Sequence, residues 1–388
     1  MNSGRTVFAQ LIDFLPLHEF RKCVRRYRGE HKVQTFTCLD QFLSMAFAQL
    51  TFRESLRDIQ TCLRAMGHKL YHSGFRGHVS RSTLADANEH RDWRIFEGFA
   101  HVLIRIARPL YAGESFGVEL DHVAYVIDST TIDLCLALFP WARFRRHKAA
   151  VKLHTLLDLR GSIPCVVRVT DGKTHDLNFL DSLVFEPAAF YIMDRGYIDF
   201  EQLYRIHQSR AFFIIRSKGN LAYTRLSYRD VDKSTGLRSD QTIQLTGPLT
   251  SQLYPVPLRR VHHLDAESGN RIVVLTNNSD LPALTIAQLY KSRWSVELFF
   301  KWIKHHLRIK AFFGTSPNAV KTQVWIAISV YVLVAIVKKQ LGVERPLSEI
   351  LQIISISLFE KVDMCQALTT IEPQSERVDN HNQLSLFK

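Results

Sequence analysis

The sequence predicts a mixed α/β protein with an all-helical region in front of its sheet and a β-rich insertion before its last helices. Three observations predict this class. Apolar residues follow helical spacing from about residue 5 to 110, and β-rich runs separated by turns begin near residue 120. Residues 217–280 are polar and turn-rich before helical spacing returns at Leu284. With 388 residues, 46% of them hydrophobic, the chain has enough apolar material for a large core.

The charge balance favours a polyanionic partner. Lys and Arg number 50 against 37 Asp and Glu, a formal net charge of +13, which suits nucleic acid or an anionic membrane surface.

The first residues lead into Asp13 and Pro16 rather than an apolar run, which argues against a signal peptide. The longest apolar stretch, 324–337, is shorter than the roughly 20 residues of a membrane span, so we expect a core helix and a cytoplasmic protein.

Several function classes lack sequence support. The six cysteines are scattered without a C-x-x-C pair, which argues against a zinc ribbon or a disulfide framework and favours reduced thiols. The motifs of phosphate-binding loops, dinucleotide-binding turns and zinc proteases are absent from the sequence.

The helical region, residues 1–110, is expected to be a DNA-binding domain. It contains 17 Lys and Arg against 10 Asp and Glu. The spacing places Arg21, Arg25 and Arg28 on one helical face, and after Arg81 it predicts a helix capped by Ser82 or Thr83 that runs through Leu84 to His90. A helix that follows such a break suits insertion into a DNA groove. The alternative is a helical layer that packs on the next domain and leaves its arginines solvated.

The remaining chain divides into four parts. Residues 120–216 read as strand, strand, strand, helix, strand, helix, strand, which predicts the first part of a mixed sheet. Residues 217–283 predict a β insertion subdomain, and residues 284–345 predict the last helices of the core, starting with one continuous helix to about Leu307. Residues 346–388 predict a C-terminal helix and a flexible polar tail.

Two aspartates are candidates for a site at the sheet edge. Asp128 and Asp194 each follow an apolar β run, so we expect both at the carboxyl ends of strands, where α/β sheets place their sites. Two carboxylates brought together repel each other unless a cation lies between them. The alternative is ordinary turn aspartates, and four others compete for the role: Asp133, Asp158, Asp171 and Asp176.

A third acidic candidate lies in a polar stripe near the C-terminal end. With 100° of rotation per residue, these polar residues span an arc of about 80° around the axis of one helix, and large apolar residues fill the opposite arc. The stripe consists of Tyr290, Arg293, Glu297, Lys301 and Lys304. The alternative is a salt-bridged stripe in which Glu297 pairs with Arg293 and Lys301.

The motif Tyr-x2-Arg-x3-Glu-x6-Lys, formed by Tyr290, Arg293, Glu297 and Lys304, resembles the signature of insertion sequence family four. The segment 194–197, Asp-Arg-Gly-Tyr, resembles the family's Asp-x-Gly-Tyr block, and Asp128 opens an Asp-Ser-Thr-Thr block. The resemblance covers roughly residues 120–340.

The resemblance implies a cut-and-paste transposase with a ribonuclease H-like core. It implies that Asp128, Asp194 and Glu297 bind two Mg²⁺ or Mn²⁺ ions for cleavage and strand transfer, and oxygen ligands suit such hard cations. By resemblance, Tyr290, Arg293 and Lys304 hold phosphates. The implied partners are double-stranded DNA at inverted-repeat ends, target DNA and a second subunit in a homodimer, with the protein associated with the nucleoid.

One departure and two alternatives accompany the resemblance. Relatives that form hairpin ends stack a flipped base on an aromatic residue of the insertion, but no tryptophan lies between 195 and 293, which leaves Tyr223, Tyr228 or Tyr254. Another nuclease of the same fold would share the carboxylates without the Tyr-Arg-Glu-Lys motif. An inactive or domesticated DNA-binding protein would keep the fold but lose metal-dependent nicking.

The tail contains a second motif, Gln383, Leu384, Ser385, Leu386 and Phe387. It resembles the pentapeptide by which bacterial DNA-processing proteins bind the replication sliding clamp. The alternative is that its apolar residues dock on the protein's own core.

Overall fold

The computed structural model describes residues 4–265, 269–305 and 312–369. The clamp-like motif at 383–387 lies outside the described residues.

The N-terminal region is helical, as predicted. Its helices are α1 (Val7–Asp13), α2 (Leu17–Arg26), α3 (Cys38–Leu50), α4 (Leu56–Ala65), α5 (Gly67–Leu70), α6 (Arg81–His90) and α7 (Arg94–Leu110). Thr37 and Asp40 form a capping box that starts α3. Side-chain caps also start α4, at Ser55, and α6.

Two local predictions in this region are wrong. The cap of α6 is Ser80, whose hydroxyl accepts from the amide of Thr83, so the helix begins at Arg81, earlier than predicted. Arg28 does not share a helical face with Arg21 and Arg25, because α2 ends at Arg26 and Arg28 adopts a left-handed conformation with φ of 51°.

The β-strands form one mixed sheet. They are β1 (Ala124–Leu134), β2 (Arg143–Arg145), β3 (Lys148–Asp158), β4 (Ile163–Asp171), β5 (Phe190–Met193), β6 (Phe212–Arg216), β7 (Tyr223–Arg229), β8 (Leu237–Leu245), β9 (Leu258–Leu264) and β10 (Arg271–Thr276). Their order is β2-β3-β1-β5-β6-β10-β9-β8-β7, and β4 also pairs with β3. Strand β1 is antiparallel to β3 and parallel to β5, which is parallel to β6.

The insertion between β6 and the last helices extends this sheet. Strand β10 pairs antiparallel with β6, so β7 to β10 continue from the edge of the core sheet. A buried ion pair holds this part together: Arg259 donates to both carboxylate oxygens of Asp240, over 2.8 and 2.7 Å, and to the carbonyl of Leu281.

The helices that follow β4 are α8 (Leu177–Asp181), α9 (Phe200–Gln208), α10 (Thr250–Leu253), α11 (Ala283–Lys291), α12 (Trp294–His305), α13 (Pro317–Gln340), α14 (Leu347–Ser357) and α15 (Met364–Thr369). The prediction of one continuous helix from Leu284 is wrong. The amide of Arg293 donates to the carbonyl of Tyr290 and the amide of Ser295 to that of Ser292, three-residue spacings that form a tight turn between α11 and α12.

Helix α13 is the central core helix. It is long and apolar enough to cross a membrane, but 94% of its most apolar window is buried within the protein, which confirms the prediction of a core helix. It packs against α7 and α3 from the N-terminal region and against α14. The N-terminal helices therefore share a hydrophobic core with the C-terminal half of the chain.

Candidate active site

Strand register brings Asp128 and Asp194 to the same place. The parallel ladder between β1 and β5 ends at the pair Ile127 and Met193, and the two aspartates are the next residues along each strand. Asp194 follows the end of β5, as predicted. Asp128 lies within β1 rather than at its end, because β1 continues to Leu134 by pairing with β3, where Asp128 stands opposite Thr155.

Arg293 joins two of the three acidic candidates. From the turn before α12, its Nη1 donates to Oδ2 of Asp128 over 3.0 Å, and its Nη2 donates to Oε1 of Glu297. The side chains of Arg293 and Asp128 are 18% and 19% exposed, so this contact is largely shielded from water. The ion pair between Arg293 and Glu297 that the salt-bridged stripe predicts is present. A stripe on the helix surface does not account for the contact of Arg293 with Asp128, which lies on the core strand β1.

Two further residues of the motif face the same strands. The Tyr290 hydroxyl donates to Oδ1 of Asp194 over 3.5 Å, and Nζ of Lys304 donates to the carbonyl of Thr131 on β1 over 2.8 Å. The turn between α11 and α12 therefore keeps Tyr290, Arg293 and Glu297 around the two aspartates. Lys301 is exposed and lines a separate cleft with Leu298 and Trp302.

The electrostatics of this cluster follow from burial. Burial raises the pKa of Asp128 to about 6, with the negative charges of Asp194 and Glu297 adding to it and the amide of Ser129 and the charge of Arg293 opposing it. Burial also raises the pKa of Tyr290 to about 12. For Arg293, burial would lower the pKa, but the hydrogen bond to Glu297 and the charge of Asp128 outweigh it and raise the pKa.

The donor set fits a hard divalent cation. Two aspartates and one glutamate offer only oxygen ligands, the type that Mg²⁺ and Mn²⁺ prefer. Among the described residues, no three acidic, histidine or cysteine side chains form a ready-made metal cluster. The guanidinium of Arg293 contacts the carboxylates of both Asp128 and Glu297.

The competing aspartates lie elsewhere or have other partners. Asp133 is exposed on β1, and Asp171 is exposed at the turn after β4, where it accepts from the amide of Lys173. Asp158 is buried and pairs with Arg160. Asp176 accepts a hydrogen bond from Ser129, the neighbour of Asp128.

An aromatic residue beside the cluster was not singled out from the sequence. Trp294, the first residue of α12, is 59% exposed and lines an open pocket with Tyr290, Arg293 and Arg216. Of the tyrosines named from the sequence, Tyr254 is fully buried and has no face free for a base, whereas Tyr228 is 67% exposed. The tyrosines predicted for stacking all belong to the insertion, whereas Trp294 directly follows Arg293 of the motif.

The basic candidates of the N-terminal region are on the surface. Arg21 and Arg25 are exposed on α2, where they line a cleft with Arg76, and Arg81 is exposed at the start of α6. Arg28 is exposed in the loop after α2.

Comparisons with known proteins identify the class. A family model described as "Transposase DDE domain" matches residues 119–333, and a model described as "Domain of unknown function (DUF4372)" matches residues 3–76. The chain is 31% identical over 296 residues to "Putative transposase y4zB" of Sinorhizobium fredii, covering 72% of this chain and 78% of that protein. It is 35% identical over 214 residues to "Probable transposase for insertion sequence element IS5377" of Geobacillus stearothermophilus, covering 54% and 55%.

A solved structure of a piggyBac transposase synaptic complex with hairpin DNA covers 94% of this chain and 80% of that chain, with a TM-score of 0.43 and 10% identity, a likeness too weak to carry an argument. The family and the site define a DNA-cleaving enzyme: the chain belongs to the transposase DDE domain family. It is an insertion-sequence transposase.

Proposed function

We propose that this transposase belongs to insertion sequence family four, has a ribonuclease H-like core and moves its element by cut-and-paste. One observation carries the proposal: Arg293 contacts both Asp128 and Glu297, while Tyr290 from the same motif contacts Asp194. Residues 96 and 165 positions apart thus converge where the parallel pairing of β1 and β5 ends.

We assign Asp128, Asp194 and Glu297 to the binding of two Mg²⁺ or Mn²⁺ ions. When bound, these ions activate the attacking oxygen and stabilise the leaving oxygen of a phosphodiester. Arg293 has to leave its place between Asp128 and Glu297 for both carboxylates to take up a cation. A DNA phosphate is the natural acceptor for the released guanidinium, since both form paired charge-assisted hydrogen bonds.

The element strand that is joined to target DNA undergoes two phosphoryl transfers at one site. In the first, a water oxygen bonds to the phosphorus at the element end, the bond from phosphorus to the 3′ oxygen breaks, and that oxygen takes a proton from the water. In the second, the freed 3′-hydroxyl loses its proton and bonds to a phosphorus of target DNA, while the bond from that phosphorus to its own 3′ oxygen breaks and the displaced oxygen takes a proton. Tyr290, Arg293 and Lys304 hold the phosphates beside the bond that breaks, and fixed donors at such positions favour the in-line geometry.

The rest of the chain supplies DNA binding. Residues 1–110 recognise the inverted-repeat ends, with Arg21, Arg25, Arg28 and Arg81 among the contacts, and residues 217–283 form the insertion within the catalytic core. Two copies act together as a homodimer on paired ends, at the nucleoid. The exposed ring of Trp294 beside Tyr290 and Arg293 is suited to stack on a base displaced from the end.

The tail motif at 383–387 is proposed to bind the sliding clamp. Burying Leu386 and Phe387 contributes roughly 1.5 to 3 kcal/mol each before the cost of ordering the segment, which predicts weak, transient binding. A peptide spanning 380–388 should bind the clamp at micromolar concentration and lose binding when both residues become Ala. No binding by the peptide or by the whole protein would remove the clamp from the list of partners.

The triad is tested by charge removal without a change of shape. Asp128→Asn, Asp194→Asn and Glu297→Gln should each abolish cleavage of end DNA in Mg²⁺ or Mn²⁺ while leaving end binding largely intact, because the carboxylates act on the chemistry more than on docking. Asp133→Asn, an exposed aspartate on the same strand as Asp128, is the matched control. Strand transfer near the parent level by any of the three variants would remove that residue from the triad.

A further inference from the structure

The strand that carries Asp128 also carries a second polar contact on its other face. Side chains alternate along a strand, and Ala124 and Val126 of β1 belong to one hydrophobic cluster while Tyr125 and Ile127 belong to the other. Asp128 faces Arg293 at the start of α12. Ser129, the next residue, contacts a different group of side chains.

That group is centred on Asp176, just before α8. Its Oδ1 accepts from the Ser129 hydroxyl over 2.6 Å and lies 3.2 Å from Nζ of Lys152 and 3.6 Å from Nδ1 of His154. Lys152 also donates to the carbonyl of Thr174, so Lys152 ties the segment before α8 to β3. One carboxylate thus joins β1, β3 and this segment.

The partners of Asp176 are themselves held in place. His154 is fully buried, stands opposite Ser129 in the register of β1 and β3, and is 3.0 Å from the Thr170 hydroxyl through Nε2. Its ring stacks on Phe179 of α8 at 5.5 Å. The hydroxyl of Ser129 therefore has a fixed acceptor on a rigid support.

Ser129 connects this support to the acidic site. Its amide donates to Oδ1 of Asp128 over 2.8 Å, while Oδ2 of Asp128 accepts from Arg293. Fixing the Ser129 side chain fixes the orientation of that peptide group, and the peptide group orients the Asp128 carboxylate. Groups that orient a metal ligand in this way strengthen metal binding, because they restrict the other orientations that the ligating side chain could adopt.

We infer that Asp176 is a positioning residue for Asp128, acting through Ser129, rather than a fourth metal ligand. The inference rests on the proposed function, because it concerns how Asp128 is presented to a cation. Oδ1 of Asp176 already faces a lysine, a histidine and a hydroxyl, so this oxygen and the charge of the carboxylate have partners on this side of the strand. Asp128, in contrast, has its second oxygen directed at the turn before α12.

Mn²⁺ binding to the full-length protein in complex with already cleaved end DNA, measured by calorimetry and corrected for binding to the DNA alone, tests the inference. Asp176→Asn and Ser129→Ala should each weaken Mn²⁺ binding by about tenfold, the low end for groups that support a ligand. The double variant should be little weaker than either single variant, since both act through one hydrogen bond. Asp181→Asn, an exposed aspartate of α8 that pairs with Gln202, is the control and should bind Mn²⁺ normally.

Asp128→Asn separates this inference from the proposed function. Retained Mn²⁺ binding in that variant would overturn the proposed site itself. Lost binding in Asp128→Asn with parental binding in both Asp176→Asn and Ser129→Ala would overturn only the positioning role. If Asp176→Asn fails to fold, as thermal unfolding would reveal, Ser129→Ala decides by itself.

A thiol variant distinguishes positioning from direct ligation. A cysteine that replaces a metal ligand binds the softer Cd²⁺ well, because thiolates prefer soft cations. Asp176→Cys should therefore gain no Cd²⁺ affinity relative to Asp176→Asn. A clear gain would identify Asp176 as a ligand and contradict the inference.

Discussion

Nη1 of Arg293 lies 3.0 Å from Oδ2 of Asp128, a contact between residues 165 positions apart in the sequence. The same guanidinium pairs with Glu297, so one side chain with a single positive charge contacts two of the three carboxylates assigned to metal binding. On the proposed assignment, divalent cations compete with Arg293 for these carboxylates. A phosphate that attracts Arg293 away from them would favour metal binding, which couples the arrival of DNA to the assembly of the site.

Replacement of Arg293 or Lys304 by Ala should impair a step of cleavage or transfer more than overall affinity. Each side chain is assigned to one phosphate among many, so its loss should flatten the logarithmic dependence of binding on salt by about 0.9. Cleavage assays and salt titrations of end binding measure the two effects. Lys301→Ala, exposed elsewhere on α12, is the control, and parental behaviour of both variants would favour a purely structural salt bridge.

Arg21→Ala combined with Arg25→Ala should reduce specific protection of the element ends. Both side chains are exposed on α2, and DNA backbone contacts by arginine supply much of the binding free energy. Footprinting on cognate and scrambled ends is the measurement, with exposed Arg210, before β6, replaced as the control. Substitution is preferred to deletion of residues 1–110, because deletion would uncover the buried face of α13. Undiminished protection would place recognition in the insertion or the C-terminal helices.

Trp294→Ala should weaken the distortion of the terminal base more than Tyr228→Ala does. Stacking of a base on an aromatic face contributes about 1 to 3 kcal/mol, and Trp294 lies next to Arg293 whereas Tyr228 lies on the outermost strand of the insertion. Fluorescence of 2-aminopurine placed at the element end reports the unstacked base. Tyr71→Ala, exposed in the N-terminal region, should have no effect, and an equal loss from Tyr228→Ala would place the stacking residue in the insertion.

Arg259→Met should destabilise the protein by about 3 to 5 kcal/mol. The substitution leaves the Asp240 carboxylate buried without its hydrogen-bonded partner, with Arg229 4.0 Å away as the remaining nearby cation, and loss of the partner costs more than the ion pair contributes by its presence. Denaturant unfolding measures the change. Asp240→Leu in the same chain should recover much of the loss, whereas Arg271→Ala at an exposed site of β10 should be near neutral. A loss of similar size from Arg271→Ala would mean that the burial of the pair is not the cause.

His154 should make folding sensitive to mild acid. Burial lowers the pKa of His154 to about 4, from an unfolded value near 6.5, so only the unfolded chain binds this proton between those values. The contribution of neutral His154 to the free energy of unfolding is fully present above pH 6.5 and is lost as the pH falls towards 4. Over this window the unfolding equilibrium constant rises by up to about tenfold per pH unit of acidification. The unfolding free energy of His154→Gln should vary less over this window than that of the parent, with exposed His90→Gln as the control. Parallel pH profiles for the parent and His154→Gln would exclude this role.

Sequence patterns by themselves determined the helical region, the strands and the candidates for the acidic site. Local rules suffice for these, since apolar spacing follows the periods of helix and strand, and Asp194 follows the end of β5 as the run of four apolar residues before it predicted. The turn between α11 and α12 was beyond such rules, because the apolar spacing continues across Ser292 while the hydrogen bonds do not. The reach of β1 past Asp128 likewise depends on β3, a partner that the sequence of β1 does not specify.

Only the tertiary structure decided which polar groups meet. Asp128, Asp158 and Asp176 were all candidates for the same role in the sequence, yet Asp128 faces Arg293, Asp158 pairs with Arg160 and Asp176 contacts Ser129. The physical reason is that strand pairing and helix packing set these contacts across long sequence separations, through register and through the face on which each side chain emerges. A linear pattern identifies a residue that can carry a charge, whereas the neighbours brought by folding decide what that charge binds.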